Sequence, residues 1–275
     1  MDLTRIFSTV KVGTGGITMA KYKNLTIRGK TDGFGCQLNA KLSGLAFCLS
    51  NPVYRYIHTP FTSVSHGYRD PERVQQINNH LGIPDNRHGR RIHAAYRYMS
   101  NVFKDPNTFY TNRTLEYIRN LYWKDKDYEA LDCIAVHIRR GDIARDGRKN
   151  HFRYQPNYWY QHIIPNIAKK YPDNYQIVIH SEGEMSEFES IIHGWDASLI
   201  ERTVFKLGKD GDHSCKNNMI ETFHQMIASK VLVQSKSGLS YTAGLYNSNN
   251  IHFVAGNRAM GQGRPLRHWE IINKK

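Results

Sequence analysis

The amino-acid sequence predicts an α/β protein built on parallel sheets, and three observations lead there. Short runs such as Cys133 to Ile138 and Val231 to Gln234 are mostly apolar without alternation, as strands covered on both faces are. Amphipathic segments of helical period alternate with these runs. Near the start, a short apolar run, a glycine turn and a periodic segment already spell strand, turn and helix.

In chain order, residues 24–28 predict a strand, Gly33-Phe34-Gly35 a turn, residues 37–49 a helix and residues 54–57 a second strand. Amphipathic patterns then predict helices over 71–81, 91–103 and 115–123. The run from Lys124 to Tyr128 is too polar to supply a core, so it marks a joint between a domain of residues 1–128 and one of residues 129–275. Beyond it the rhythm is regular: strand 133–138, a helix opening near Pro156, strand 175–180, a short helix over 184–192 and strand 204–207. A helix over 217–228, strand 231–234, a helix after Gly238 and strand 251–254 complete it, with no internal repeat.

With 275 residues, 40% hydrophobic and 12% aromatic, the chain can bury a core of ordinary size. Its 38 Lys and Arg against 24 Asp and Glu give +14, a field that draws anions: nucleic acid, an anionic membrane surface or a nucleotide diphosphate. Residues 1–23 contain neither a signal-peptide core nor a run of ~20 apolar residues, so a soluble cytoplasmic protein without a membrane anchor is expected. Cys36, Cys48, Cys133 and Cys215 form no CxxC pair and are expected as free thiols.

Ligands of a doubly wound sheet bind beyond the carboxyl ends of its strands. Two such turns stand out. In HIRRGD at 137–142 a buried strand ends in Arg139 and Arg140, a turn glycine and Asp142. Forked guanidiniums suit phosphate oxygens, whereas the plain alternative is a solvated basic turn, and an RGD adhesion triplet is a third reading. In QSKSGLSY at 234–241 a strand ends in Ser235, Ser237 and Ser240 before a helix opens, an arrangement that binds phosphate through free N–H groups and hydroxyls. A simple serine N-cap explains one of the three. Gly33 and Gly35 bring a third turn whose backbone can approach the same ligand.

Other nucleotide and metal motifs fail. Gly29-Lys30-Thr31 lacks the P-loop glycine at position 24, which is Asn24. Asp125/Asp127 and Asp210/Asp212 have the DxD spacing common in polar loops, and the 14 histidines form no zinc pattern, so no metal cofactor is expected. Arg87, His88, Arg90, Arg91, His93 and Arg97 form a basic cluster that reads as a nucleic-acid patch or, more simply, as a solvated helix face without a recognisable nucleic-acid frame.

AVHIRRGD at 135–142 resembles the HxRRGD motif of the fucosyltransferase superfamily that includes the α1,2-, α1,6- and protein O-fucosyltransferases. GFGCQL at 33–38 is similar to that family's GxGxQL turn, and residues 227–246 are similar to its late strand, serines and small-residue helix. The resemblance implies a GT-B-like pair of Rossmann-type domains and metal-independent, inverting transfer from a nucleotide sugar to a glycan acceptor. It implies that Arg139 and Arg140 clamp the diphosphate, that His137 touches the nucleoside side, and that Ser235, Ser237 and Ser240 meet phosphates. Glu221 is the nearest counterpart of the family's guanine-reading acid, at an altered spacing, and Asp142 and Asp146 are the candidates for the general base. Asp142 has the alternative role of orienting an arginine. GDP-fucose is the expected donor, with UDP-xylose as the alternative. A basic nucleic-acid-binding protein and a catalytically dead sugar-binding module are the rival classes.

Overall fold

The computed structural model describes residues 22–27, 32–64, 70–83, 93–94, 97–143, 153–208, 219–254 and 263–272, with the backbone alone at 93–94 and 97–98. Two parallel sheets carry it, in agreement with the expected α/β class. The smaller has the order β2-β1-β3, with β1 at Lys23–Thr26, β2 at Tyr54–Tyr56 and β3 at His93–Ala94. The larger has the order β6-β5-β4-β7-β8-β9. Its strands are β4 (Leu131–His137), β5 (Gln176–Glu182), β6 (Thr203–Gly208), β7 (Ser229–Val233), β8 (Asn250–Val254) and β9 (Glu270–Ile272). Every pairing in both sheets is parallel.

Central position explains the uniformly apolar strands. On one face of β4, Ile134 and Val136 pack with Ile177, Ile179 and the helix α6 (Asn157–Ala168) through Tyr160 and Ile164. On the other face, Ala135 and Leu232 join Phe223 and Ile227 of α9 (Met219–Ala228), residues of α10 (Gly238–Tyr246), and the core of the smaller sheet. No face of β4 is left for water, so no alternation can show in its sequence.

The helix α1 (Phe34–Ser50) is buried along nearly its whole length, between the smaller sheet and α10. Gln37 and Ser43 find partners inside: the Gln37 amide donates to the Asp32 and Ser63 carbonyls at 2.7 and 2.9 Å, and the Ser43 hydroxyl donates to the Asn39 carbonyl. Gly35 is needed for this packing, because a Cβ there would collide with the backbone of Gly238 and Leu239 at the start of α10. Phe34 meets Phe223 edge-on, with ring centroids 5.1 Å apart, at the same seam.

A second seam joins α2 (Pro71–Leu81), α5 (Asn112–Trp123) and α9. The Tyr122 hydroxyl lies 2.8 Å from His80 Nε2 and 2.7 Å from His224 Nδ1. Lys126, from the polar run after α5, donates to the His80 and Tyr122 carbonyls at 2.6 Å each.

The structure departs from the sequence expectations in five places. The helix expected over 91–103 is α3 (Arg97–Lys104), and His93–Ala94 instead pairs with Leu25 and Thr26 of β1, a tertiary demand that helical period cannot reveal. The helix expected over 184–192 is a 3₁₀ turn at Met185–Glu187 followed by α7 (Glu189–Ile192). The short helices α4 (Pro106–Phe109) and α8 (Ala197–Glu201) were not expected, nor was β9. Cys36, Cys48 and Cys133 form no disulfide, and Cys215 lies outside the described residues.

Replacing Tyr122 by Phe leaves the two histidines of the seam without their shared partner. We expect a loss of about 1–3 kcal/mol in urea denaturation. Unchanged stability would show that these hydrogen bonds contribute nothing net.

Candidate functional site

β4 ends where the sheet's ligand edge should be, and the residues after it leave in alternating directions. His137 follows Ala135 to the face covered by α9 and α10, and its Nδ1 lies 2.7 Å from the Ser235 hydroxyl at the end of β7. Ile138 follows Val136 to the opposite face. Arg139 and Arg140 continue this division.

Arg139 is held by acids. Its Nη2 donates to Asp142, its Nη1 lies 3.4 Å from Glu182 Oε2, and the same Nη1 donates to the Arg140 carbonyl at 3.1 Å. Asp142 sits on a 3₁₀ turn at Gly141–Ile143, and Glu182 ends β5. Gly141 permits this closure: its φ of 65° is left-handed, and a Cβ would collide with the Glu182 carboxylate. Three of the five guanidinium N–H donors are thereby engaged, and among the described residues Arg139 has no other hydrogen-bond partner.

Arg140, expected as the second arm of a paired clamp, has different surroundings from Arg139. Its guanidinium is buried, 4.3 Å above the Tyr154 ring and 5.9 Å from the Tyr160 and Phe188 rings. Nη2 donates to Asn157 Oδ1 at 2.6 Å and Nη1 to the Arg139 carbonyl at 3.0 Å. Alternation at the end of a two-sided strand sends it into the aromatic packing of α6, where it braces the turn.

The serines serve the scaffold as well. The Ser240 hydroxyl accepts from the Ser235 N–H at 3.2 Å and lies 3.3 and 3.4 Å from the Ser235 and Ser237 carbonyls. The Ser237 hydroxyl caps α10 by accepting from the Leu239 N–H at 3.3 Å. Of the trio expected to meet phosphates, Ser235 and Ser240 are fully buried; Ser235 bonds His137, Ser240 ties the turn, and Ser237 is the N-cap of α10. The N-terminal turn of α10 carries the positive end of the helix dipole and packs against the start of α1 at Gly35. Gly33 is the N-cap residue of α1, and Gly35 brings that helix start against α10.

Glu221 opens α9 and lies 3.7 Å from Lys206 of β6. Asp146 lies outside the described residues, as do Asp210, Asp212, Arg87, His88, Arg90 and Arg91. Among the described residues no group of three or more His, Cys, Asp and Glu could hold a metal ion, and no helix is long and apolar enough to cross a membrane.

Two residues that the sequence did not single out belong here. Glu182 extends β5 two residues past the expected end, and His180 pairs in register with His137. Burial, with the Arg139 charge and His180 nearby, pushes the His137 imidazole down to about 3. Burial and the Lys206 charge push His180 down to about 4. Both rings are therefore neutral at physiological pH.

No protein-family model matches the chain, and no curated protein matches it. Among solved structures it is similar to E. coli heptosyltransferase WaaC with ADP, at a TM-score of 0.38 and 11% sequence identity. The match covers 86% of this chain and 65% of the heptosyltransferase chain.

The histidine shifts predict a pH dependence. The unfolded rings bind protons below their ordinary value of 6.5, whereas the folded rings do so only near 3 and 4. Stability is therefore full above pH 6.5 and falls as the pH drops from there toward 4, by up to about 1.4 kcal/mol per pH unit for each histidine. Urea denaturation at pH 7.5 and 5 checks this, and stability that rises on acidification would contradict it.

Proposed function

We propose that the protein is a glycosyltransferase that holds a nucleotide sugar's diphosphate between Arg139 and the N-terminal turn of α10, and passes the sugar to a glycan hydroxyl with inversion and without a metal. GDP-fucose is the donor we favour, with UDP-xylose as the alternative. The observation that carries the reading is the position of Arg139: a guanidinium fixed by Asp142 and Glu182 at the end of the central strand, with donors to spare. The His137–Ser235 hydrogen bond ties that strand end to the turn that opens α10.

The chemistry follows from charge. The acceptor oxygen bonds to the anomeric carbon as the bond to the diphosphate oxygen breaks, and that oxygen keeps the electron pair. A preorganised guanidinium and helix N–H groups stabilise the developing charge. The acceptor's proton passes to a carboxylate. Asp142 and Glu182 both stand beside Arg139, each half-exposed, and Asp146 is the third candidate from the sequence. The motif resemblance also supports this reading: His137 of HIRRGD bonds Ser235 ahead of α10, and Gly35 of GFGCQL packs against the start of α10.

Arg139→Ala should lower sugar transfer, or donor hydrolysis where no acceptor is supplied, by ~10²-fold or more, with the melting temperature little changed. Arg139→Lys should recover part of the loss, because an ammonium restores charge without the fork. Arg140→Ala should instead cost roughly 1–3 kcal/mol of stability, the effect of an emptied buried hydrogen-bonding site. Near-wild-type transfer in Arg139→Ala would refute the proposal.

Nucleoside diphosphates should also raise the melting temperature equally with and without EDTA. A ligand at 100 times its dissociation constant stabilises by about 2.7 kcal/mol. Loss of the shift on chelation would contradict metal-free binding.

A further inference from the structure

Buried polar side chains are nearly always hydrogen-bonded, so an exception at a ligand edge marks a place where a ligand supplies the partner. His180 is such an exception. It is 1% exposed, and neither of its ring nitrogens has a hydrogen-bond partner among the described residues. A neutral imidazole carries one N–H and one bare nitrogen, so a donor and an acceptor are both unmet.

Its neighbours say what kind of partner fits. In the sheet register His180 stands between His137 of β4 and Lys206 of β6, and paired residues of parallel strands present their side chains to the same face. Lys206 in turn meets Glu221, and this pair is partly exposed to solvent. The row thus runs from a solvent-reached ion pair, through the unsatisfied imidazole, to the histidine that is hydrogen-bonded to Ser235. Phosphate offers only acceptors and would leave the bare nitrogen facing an oxygen. The two nitrogens point to opposite sides of the ring, and a heterocyclic base, whose polar edge carries donors and acceptors side by side, can meet either the N–H or the bare nitrogen.

We propose that His180 is a specificity-determining residue of the donor site, whose imidazole hydrogen-bonds the polar edge of the donor's nucleobase. This rests on the reading of Arg139 as the diphosphate site, and extends it by placing the base along the row formed by His137, His180 and Lys206. The Lys206 charge helps hold the ring neutral, so it can donate and accept at once.

The test is calorimetric titration of GDP, UDP, ADP and inorganic pyrophosphate into the wild type, His180→Leu, His180→Gln and Arg139→Ala. Leucine should weaken the tightest-bound nucleotide by ~10-fold or more, the scale of one lost hydrogen bond to a buried partner, and leave pyrophosphate affinity unchanged. Glutamine, which keeps a donor and an acceptor, should recover part of the loss and alter the ratios among the three nucleotides. Arg139→Ala should weaken all four ligands. The free leucine variant should melt no lower than the wild type, because it removes an unsatisfied polar group. Unchanged nucleotide affinity in His180→Leu, or an equal loss of pyrophosphate, overturns the proposal while leaving Arg139 in place. Should the leucine variant not fold, unchanged nucleotide ratios in His180→Gln overturn it equally. If the wild type binds none of the four ligands, or Arg139→Ala binds pyrophosphate as the wild type does, the diphosphate reading itself fails and this inference falls with it.

Discussion

A parallel strand buried on both faces must send successive side chains to opposite sides, and the rest of the site depends on that alternation at the end of β4. Ala135 and His137 face α9 and α10, whereas Val136, Ile138 and Arg140 face α6. Two adjacent arginines of equal charge thereby acquire different work. Arg139 stays at the ligand edge among carboxylates, and Arg140 is stacked on Tyr154 and bound to Asn157. Among the described residues Arg140 has no ion-pair partner. A buried guanidinium is tolerable there because aromatic faces and neutral oxygens take its donors, and its bond to the Arg139 carbonyl fixes the backbone that aims Arg139.

The second constraint is the contact between helix starts. With α1 and α10 pressed together at Gly35, two helix N-termini lie at one seam, each contributing positive partial charge. Phe34 against Phe223 and Tyr122 between His80 and His224 hold elements of the first half of the chain against α9 of the second. On the proposed function, an anion beside α10 would meet backbone from both halves. The glycine turn and the arginine turn, about a hundred residues apart in sequence, answer to one local geometry.

Much of the architecture was legible because burial writes itself into composition. The strands β4, β5 and β7 are apolar on both faces, and their hydrophobic runs stand out against the polar turns. The two-residue β3 and three-residue β9 are too short for any period to register, and β3 exists only because β1 has a free edge. The site was legible as a set of turns but not as a division of labour. Two arginines in a row read alike until the strand's facing is known, and hydroxyls that look available for phosphate are spent on His137 and the α10 cap. Glu182 escaped because the apolar run of β5 stops at His180, while the strand itself continues through two polar residues to reach Arg139. Attention to the polar residue just past each apolar run would have found it.

The carboxylates around Arg139 pose an electrostatic question that their exposure answers. Two acids beside one arginine leave the immediate neighbourhood negative, which by itself repels a diphosphate. Asp142 and Glu182 are both nearly half exposed, however, so water screens their repulsion at longer range far more than it weakens a direct guanidinium contact. What they contribute at short range is orientation: a flexible side chain is held in one rotamer before a ligand arrives, which removes an ordering cost from binding. The N-terminal turn of α10 adds positive potential at the same edge, and the overall charge of +14 supplies a long-range field of the right sign. On the function proposed above, the carboxylates that position the arginine are also the available bases for an acceptor hydroxyl, so diphosphate departure and proton removal would share one ion-pair cluster.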